Sequence, residues 1–215
     1  VRLLYINPNS TVAMTETIVA TAQATLPGAE VIGWTNHDGP PAIQGPEDGA
    51  AALPGLLALL PKAAQISADA IVIACFDDTG LEALRAAAHC PVIGIGQAAF
   101  HMAALMGGRF SVVTTLAVSV PVIAQNIETY GFAGICASVR PSGLPVLTVE
   151  GGGEAVLQCL SAEIAAAHGE GAASVVLGCA GMAHLKADLA ATAPLPLIDG
   201  VAASALLAEA MTRLG

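Results

Sequence analysis

A chain of 215 residues, 55% of them hydrophobic and only 11% charged, is long enough to bury one sizeable core or two small ones sharing a cleft. Lys and Arg number 7 against 17 Asp and Glu, a formal net charge of -10, so no basic surface exists to neutralise phosphates and nucleic acid is not expected as a partner. The apolar runs fall well short of the roughly 20 residues that cross a bilayer, and the opening apolar stretch is too brief for a secretory signal; a cytoplasmic protein with no membrane partner is expected.

In chain order, short runs rich in Leu, Val and Ile alternate with longer Ala-rich segments. A strand over 2–6 leads to a helix over 10–24 with Ser10 as its cap, then a strand over 30–34. The Gly- and Pro-bounded stretch 34–45 reads either as a mobile cover or as a long ordered loop. A helix over 49–65 is weakened by Pro54 and Pro61. A strand over 70–74, a helix over 80–88, a strand over 92–95 and a helix over 97–106 complete the first half. The second half reads as strand 110–114, helix 121–130, strand 135–139, helix 153–168, strands 174–177 and 195–198, and a last helix over 201–214. This alternation is the pattern of βαβ units with parallel strands.

The pattern repeats. Arg2-Leu-Leu-Tyr-Ile-Asn resembles Arg109-Phe-Ser-Val-Val-Thr, Ile71-Val-Ile-Ala-Cys75 resembles Val175-Val-Leu-Gly-Cys179, and Pro91-Val-Ile-Gly94 resembles Pro196-Leu-Ile-Asp199. The offsets are 109 − 2 = 107, 179 − 75 = 104 and 196 − 91 = 105. Three matches in one order at a nearly constant offset imply an α/β fold of two similar, pseudo-twofold-related lobes. Each lobe, 1–108 and 109–215, is expected to be a mainly parallel sheet flanked by helices, with the active site in the cleft between them; whether the last helix crosses back onto the first lobe is left open.

Five cysteines, at 75, 90, 136, 159 and 179, show no Cys-x-x-Cys spacing, and free thiols are expected. A single free cysteine is more often a core residue than a reactive one. Cys75 and Cys179 differ from the other three in standing at matching strand ends, each followed by a turn and a helix. Carboxyl ends of strands are where open α/β sheets bind ligands, and the free N–H groups of helix N-termini there favour a thiolate or an enolate. A pseudo-twofold axis places the two thiols on opposite faces of a ligand, the geometry that inverts a carbon centre: one thiolate removes a proton and the opposing thiol returns one to the other face. Asp77 and Asp78 work against a thiolate at Cys75, so at least one is expected to point away or to bind substrate.

Other signals are weak. The five histidines lack metal-ligand spacing, so no metal site is expected. Gly151-Gly152-Gly153 and Gly94-Ile95-Gly96 lack the remaining residues of a phosphate loop or a dinucleotide fingerprint. Asn7 and Asn9 at the first strand end, and Thr114 and Thr115 at its counterpart, are candidates for the pocket or for turn and strand-end packing.

The motifs Ala74-Cys75-Phe76-Asp77-Asp78-Thr79-Gly80-Leu81 and Leu177-Gly178-Cys179-Ala180-Gly181-Met182, with Asn7-Pro8-Asn9-Ser10 and Gly39-Pro40-Pro41-Ala42-Ile43-Gln44-Gly45, resemble the hydantoin racemase group, allantoin racemases included, of the aspartate/glutamate racemase superfamily. The resemblance spans nearly the whole chain. It implies a cofactor-free, two-base racemisation of 5-substituted hydantoins, allantoin among the candidates, through an enolate at ring carbon 5. It implies Cys75 and Cys179 as the acid/base pair, substrate contacts from Phe76, Asp77, Asp78, Ala180 and Gly181, and a pocket lined by Asn7, Ile43, Thr114 and Thr115. The group's usual Ile-Glu-Gly stands here as Ile43-Gln44-Gly45, which argues against a carboxylate role at 44. The aspartate- and glutamate-directed members, the main rival, usually carry Asn-Thr after the first cysteine, where this chain has Phe76-Asp77. A small-molecule binding protein without chemistry is the rival from another class. The high apolar content also favours a homo-oligomer.

Overall fold

Two four-stranded parallel sheets carry the molecule, and the second repeats the strand order of the first. The structure, a computed structural model, describes residues 1–214. The first half of the chain runs β1 (Arg2–Asn7), α1 (Val12–Thr25), β2 (Glu30–Thr35), α2 (Pro46–Gln65), β3 (Ala70–Ile73), α3 (Leu81–Ala87), β4 (Val92–Gly94) and α4 (Ile95–Met106). The second runs β5 (Phe110–Thr114), α5 (Val120–Thr129), β6 (Cys136–Pro141), α6 (Val146–Gly151), α7 (Glu154–Gly169), β7 (Ser174–Gly178), α8 (Lys186–Ala190), β8 (Leu197–Asp199) and α9 (Gly200–Leu214). The sheet orders are β2-β1-β3-β4 and β6-β5-β7-β8, so adding four to each strand number converts one into the other.

The absence of apolar/polar alternation in the inner strands follows from burial on both faces. Every residue of β3, β5 and β7 is buried, whereas the edge strands β2 and β6 are mostly half-buried. Within β1 the period of two divides the side chains: Leu3 and Tyr5 join a core that runs through both halves of the chain, and Leu4 and Ile6 join a second cluster under α2. Phe100 of α4 ties the halves together, packing edge-on to Phe76 at 5.5 Å and stacked on Phe110 at 5.8 Å. Such pairs add about 0.5–1.5 kcal/mol each beyond area burial.

The last helix does cross back. α9 lies against α1 and α4, and the buried Tyr5 hydroxyl meets Ser204 Oγ at 3.0 Å.

Two local expectations are corrected. Thr11, not Ser10, precedes α1, and the Thr11 N–H donates to Asn9 Oδ1 at 2.9 Å. α2 starts at Pro46 and runs unbroken through Pro54 and Pro61. Both prolines lie on its exposed face, seven residues apart, where water can take the carbonyls they leave unpaired. The short helices α6 and α8 were not legible, being too brief to show a period. No helix among the described residues is long and apolar enough to cross a membrane.

Candidate active site

Inside each sheet the two central strands run parallel and in register, β1 beside β3 with Leu3 opposite Ala70 and Ile6 opposite Ile73, and β5 beside β7 with Phe110 opposite Ser174 and Thr114 opposite Gly178. Their carboxyl ends therefore deliver Cys75 and Cys179 to a single small cavity of about 30 Å³, room for little more than water. Cys75 enters through a turn closed by the Asp78 N–H on the Cys75 carbonyl at 3.0 Å. Cys179 follows Gly178, where a Cβ would stand 2.8 Å from the Val113 carbonyl oxygen; only glycine lets the two backbones approach so closely. The backbone N–H two residues ahead, of Asp77 for Cys75 and of Gly181 for Cys179, favours the thiolate at each sulfur.

The thiols are held neutral. Burial pushes the Cys75 thiol far above its ordinary range, and the Asp77 carboxylate pushes the same way; Thr79 Oγ1, donating to Sγ at 3.4 Å, and the Asp77 N–H act in the opposite sense. Cys179 is pushed up to about 12, first by burial, against the Gly181 N–H, with Glu150 and Asp77 adding to the rise. The expected help from helix N-termini is smaller than the sequence suggests. Cys179 opens a short 3-10 segment, Ala180–Leu185, but α3 begins only at Leu81, six residues past Cys75.

The two aspartates have different surroundings. Burial raises the Asp77 carboxyl to about 7, and its Oδ2 is enclosed with no hydrogen-bond partner at the cavity wall. Asp78 turns away: its carboxylate accepts from the N–H groups of Gly96 at 2.9 Å and Gln97 at 2.7 Å and from the Tyr130 hydroxyl at 3.0 Å. Burial nonetheless raises it to about 7, outweighing those donors.

Of the residues singled out in the sequence, Ile43, Phe76, Asp77, Thr114, Thr115 and Ala180 line the cavity with the two cysteines. Asn7 stands behind it: its amide donates to Asn9 Oδ1, Thr15 Oγ1 and the Thr11 carbonyl, and its neighbour Asn9 takes the place at the wall. Gly181 contributes no surface to the cavity, and the Thr114 hydroxyl is engaged with the Gly178 carbonyl at 2.9 Å. The sequence did not single out Met14, Ser119 and Val146, which also line the cavity, nor Glu150, whose Oε2 is buried without a partner close to Gly181. They sit at helix starts and turns that carry no motif. The stretch ahead of Ile43 is an ordered loop, pinned by Asn36 Nδ2 on the Pro8 and Ala52 carbonyls. Gln44 Oε1 accepts the Val146 N–H at 3.0 Å, so the residue that departs from the usual Glu ties this loop to the second half of the chain.

The profile of the Asp/Glu/hydantoin racemase family matches residues 3–208. The chain belongs to this family. It is 42% identical over 212 residues to a hydantoin racemase of Rhizobium meliloti, covering 98% of this chain and 88% of that one. Its fold superposes on the solved allantoin racemase from Klebsiella pneumoniae with a TM-score of 0.95 at 40% identity, covering 100% of this chain and 89% of that one. The allantoin racemase from Pseudomonas fluorescens gives 0.91 at 32% identity, over 100% and 92%. A glutamate racemase from Francisella tularensis, 20% identical with a TM-score of 0.72, shares the fold. This racemase is therefore an isomerase acting on a small molecule, and its two-sheet architecture is that of its relatives.

Proposed function

We propose that this racemase inverts carbon 5 of 5-substituted hydantoins, allantoin among them, without a cofactor, using Cys75 and Cys179 as the two bases. The observation that carries the reading is the meeting of two thiols in one cavity beside the unpartnered Asp77 Oδ2.

The reactive state is the minor one in which one of the two raised thiols has released its proton to solvent; that thiolate takes the proton from carbon 5, and the bonding pair moves onto the adjacent carbonyl oxygen as an enolate. The opposing S–H gives its proton to the other face, the carbonyl re-forms, and the thiolate has moved from one cysteine to the other. The reverse direction exchanges their roles. The raised thiol pKa values keep the cysteine that is not the base a full proton donor at neutral pH and make the thiolate the scarcer form. Asp77 Oδ2 supplies an acceptor for a ring N–H.

An aspartate- or glutamate-directed reaction fits less well. No Lys or Arg lines the cavity among the described residues, so the extra carboxylate of such a substrate would face Asp77 with no counter-charge. The test is a panel of single enantiomers in deuterium oxide: 5-substituted hydantoins, allantoin, aspartate and glutamate. Loss of optical rotation with deuterium entering carbon 5 of the hydantoins supports the reading; turnover of the amino acids alone, or of nothing, overturns it.

A further inference from the structure

We propose that Asn126 of α5 and Tyr130, the residue that caps its end, are positioning residues for Cys75, reaching from the second half of the chain to fix the turn that carries the first thiol. The inference rests on the reading of Cys75 as one of the two bases. Asn126 and Tyr130 stand four residues apart, on one face of the helix end. Asn126 Nδ2 donates to the Asp77 carbonyl at 2.9 Å, and the Tyr130 hydroxyl donates to Asp78 Oδ2 at 3.0 Å. Two consecutive residues of the turn are thus gripped by one helix face.

The turn needs an external hold. Asp78 has φ +50, a left-handed conformation costly for a residue with a Cβ, and persists only where its surroundings over-determine it. Its carboxylate supplies the hold from the first half by accepting the Gly96 and Gln97 N–H groups at the start of α4. A Cβ at Gly94 would lie 1.9 Å from Asp78 Oδ1, so the space for this carboxylate is built into the backbone. The Tyr130 hydroxyl is the third donor, and it comes from the other half.

Neither residue lines the cavity, so neither touches the substrate. The arrangement is also one-sided. The strand end before Cys179 is tied within its own half, by Thr114 Oγ1 on the Gly178 carbonyl. Loosening α5 therefore disturbs Cys75 and leaves Cys179 in place.

The experiment reads the two thiols separately. Tyr130→Phe removes only the hydroxyl and keeps the ring against Phe100, and Asn126→Ala changes a half-buried side chain. Iodoacetamide labelling followed by mass spectrometry gives the rate at each cysteine; the double variant is expected to change the Cys75 rate several-fold and leave Cys179 within about twofold. In the Cys179→Ser background, deuterium exchange at carbon 5 by Cys75 is expected to fall about 10- to 100-fold, the usual cost of a small misplacement. Exchange by Cys179 in the Cys75→Ser background is expected to hold. Unchanged labelling of Cys75, or equal changes at both cysteines, overturns the proposal whatever the exchange shows. Absence of exchange in both single-cysteine parents overturns the two-base reading instead, with the labelling result still deciding the role of α5.

Discussion

The carboxylate of Asp77 opposes ionisation of Cys75, while the backbone N–H of the same residue favours it. One residue therefore works on the thiol in both directions, and its side chain has the larger effect. Replacing Asp77 by Asn separates the two. At pH 8, where a carboxyl near 7 is mostly ionised, Asp77→Asn is expected to lower the Cys75 pKa and accelerate its alkylation by iodoacetamide. The same change alters the acceptor available to a ring N–H, and kcat/KM is expected to fall about tenfold or more. Alkylation and turnover moving in opposite directions check the assignment; both rising together contradicts it.

The buried carboxyl of Asp77 also sets a pH dependence of stability. Its folded pKa of about 7 stands above the ordinary 3.8, so the native state holds the proton more tightly than the unfolded chain. The contribution is fully present below about pH 4 and is lost as the pH rises through about 7, amounting to at most about 4 kcal/mol. Urea unfolding at pH 5 and pH 8 is expected to show a larger drop for the native chain than for Asp77→Asn. Identical drops would remove this carboxyl as the cause.

Thr79 acts on Cys75 alone. Its hydroxyl donates to the sulfur at 3.4 Å and favours the thiolate. Thr79→Val keeps the shape and removes the donor, which is expected to raise the Cys75 pKa further. With both thiols raised, kcat/KM of the native chain is expected to climb toward alkaline pH and that of the variant to climb at higher pH still, with about tenfold less activity near neutrality. An unshifted profile contradicts a role for this hydrogen bond.

Gly178 is required by space. A Cβ there would lie 2.8 Å from both Val113 O and Val112 Cγ1. Gly178→Ala is expected to destabilise the fold by about 1–3 kcal/mol, as overpacking does, and to displace Cys179, which follows directly. Denaturant melts and the Cys179 labelling rate measure the two effects independently.

Much of this site was legible in the sequence, for a definite reason. Cys75 and Cys179 stand out because a duplicated βα pattern places them at equivalent strand ends, and parallel strands bring such ends together. Asp78 was not readable in the same way. Its partners Gly96, Gln97 and Tyr130 lie 18, 19 and 52 residues away, and nothing in the local sequence distinguishes it from its neighbour Asp77. Asn7 and Asn9 show the same limit at short range: both end β1, and only the hydrogen bonds of Asn7 to Thr11 and Thr15 show which one faces inward to the fold. Pro54 and Pro61 misled because propensity counts the lost N–H groups but not the exposed face on which they fall.

Two cysteines acting from opposite faces of one carbon can be told from any one-base scheme by replacing each with Ser and following both hydantoin enantiomers, separately, in deuterium oxide. Racemisation is expected to be lost in both variants, while each retains deuterium exchange at carbon 5 with only one enantiomer, and not the same one. Racemisation persisting in both variants would contradict the two-base reading.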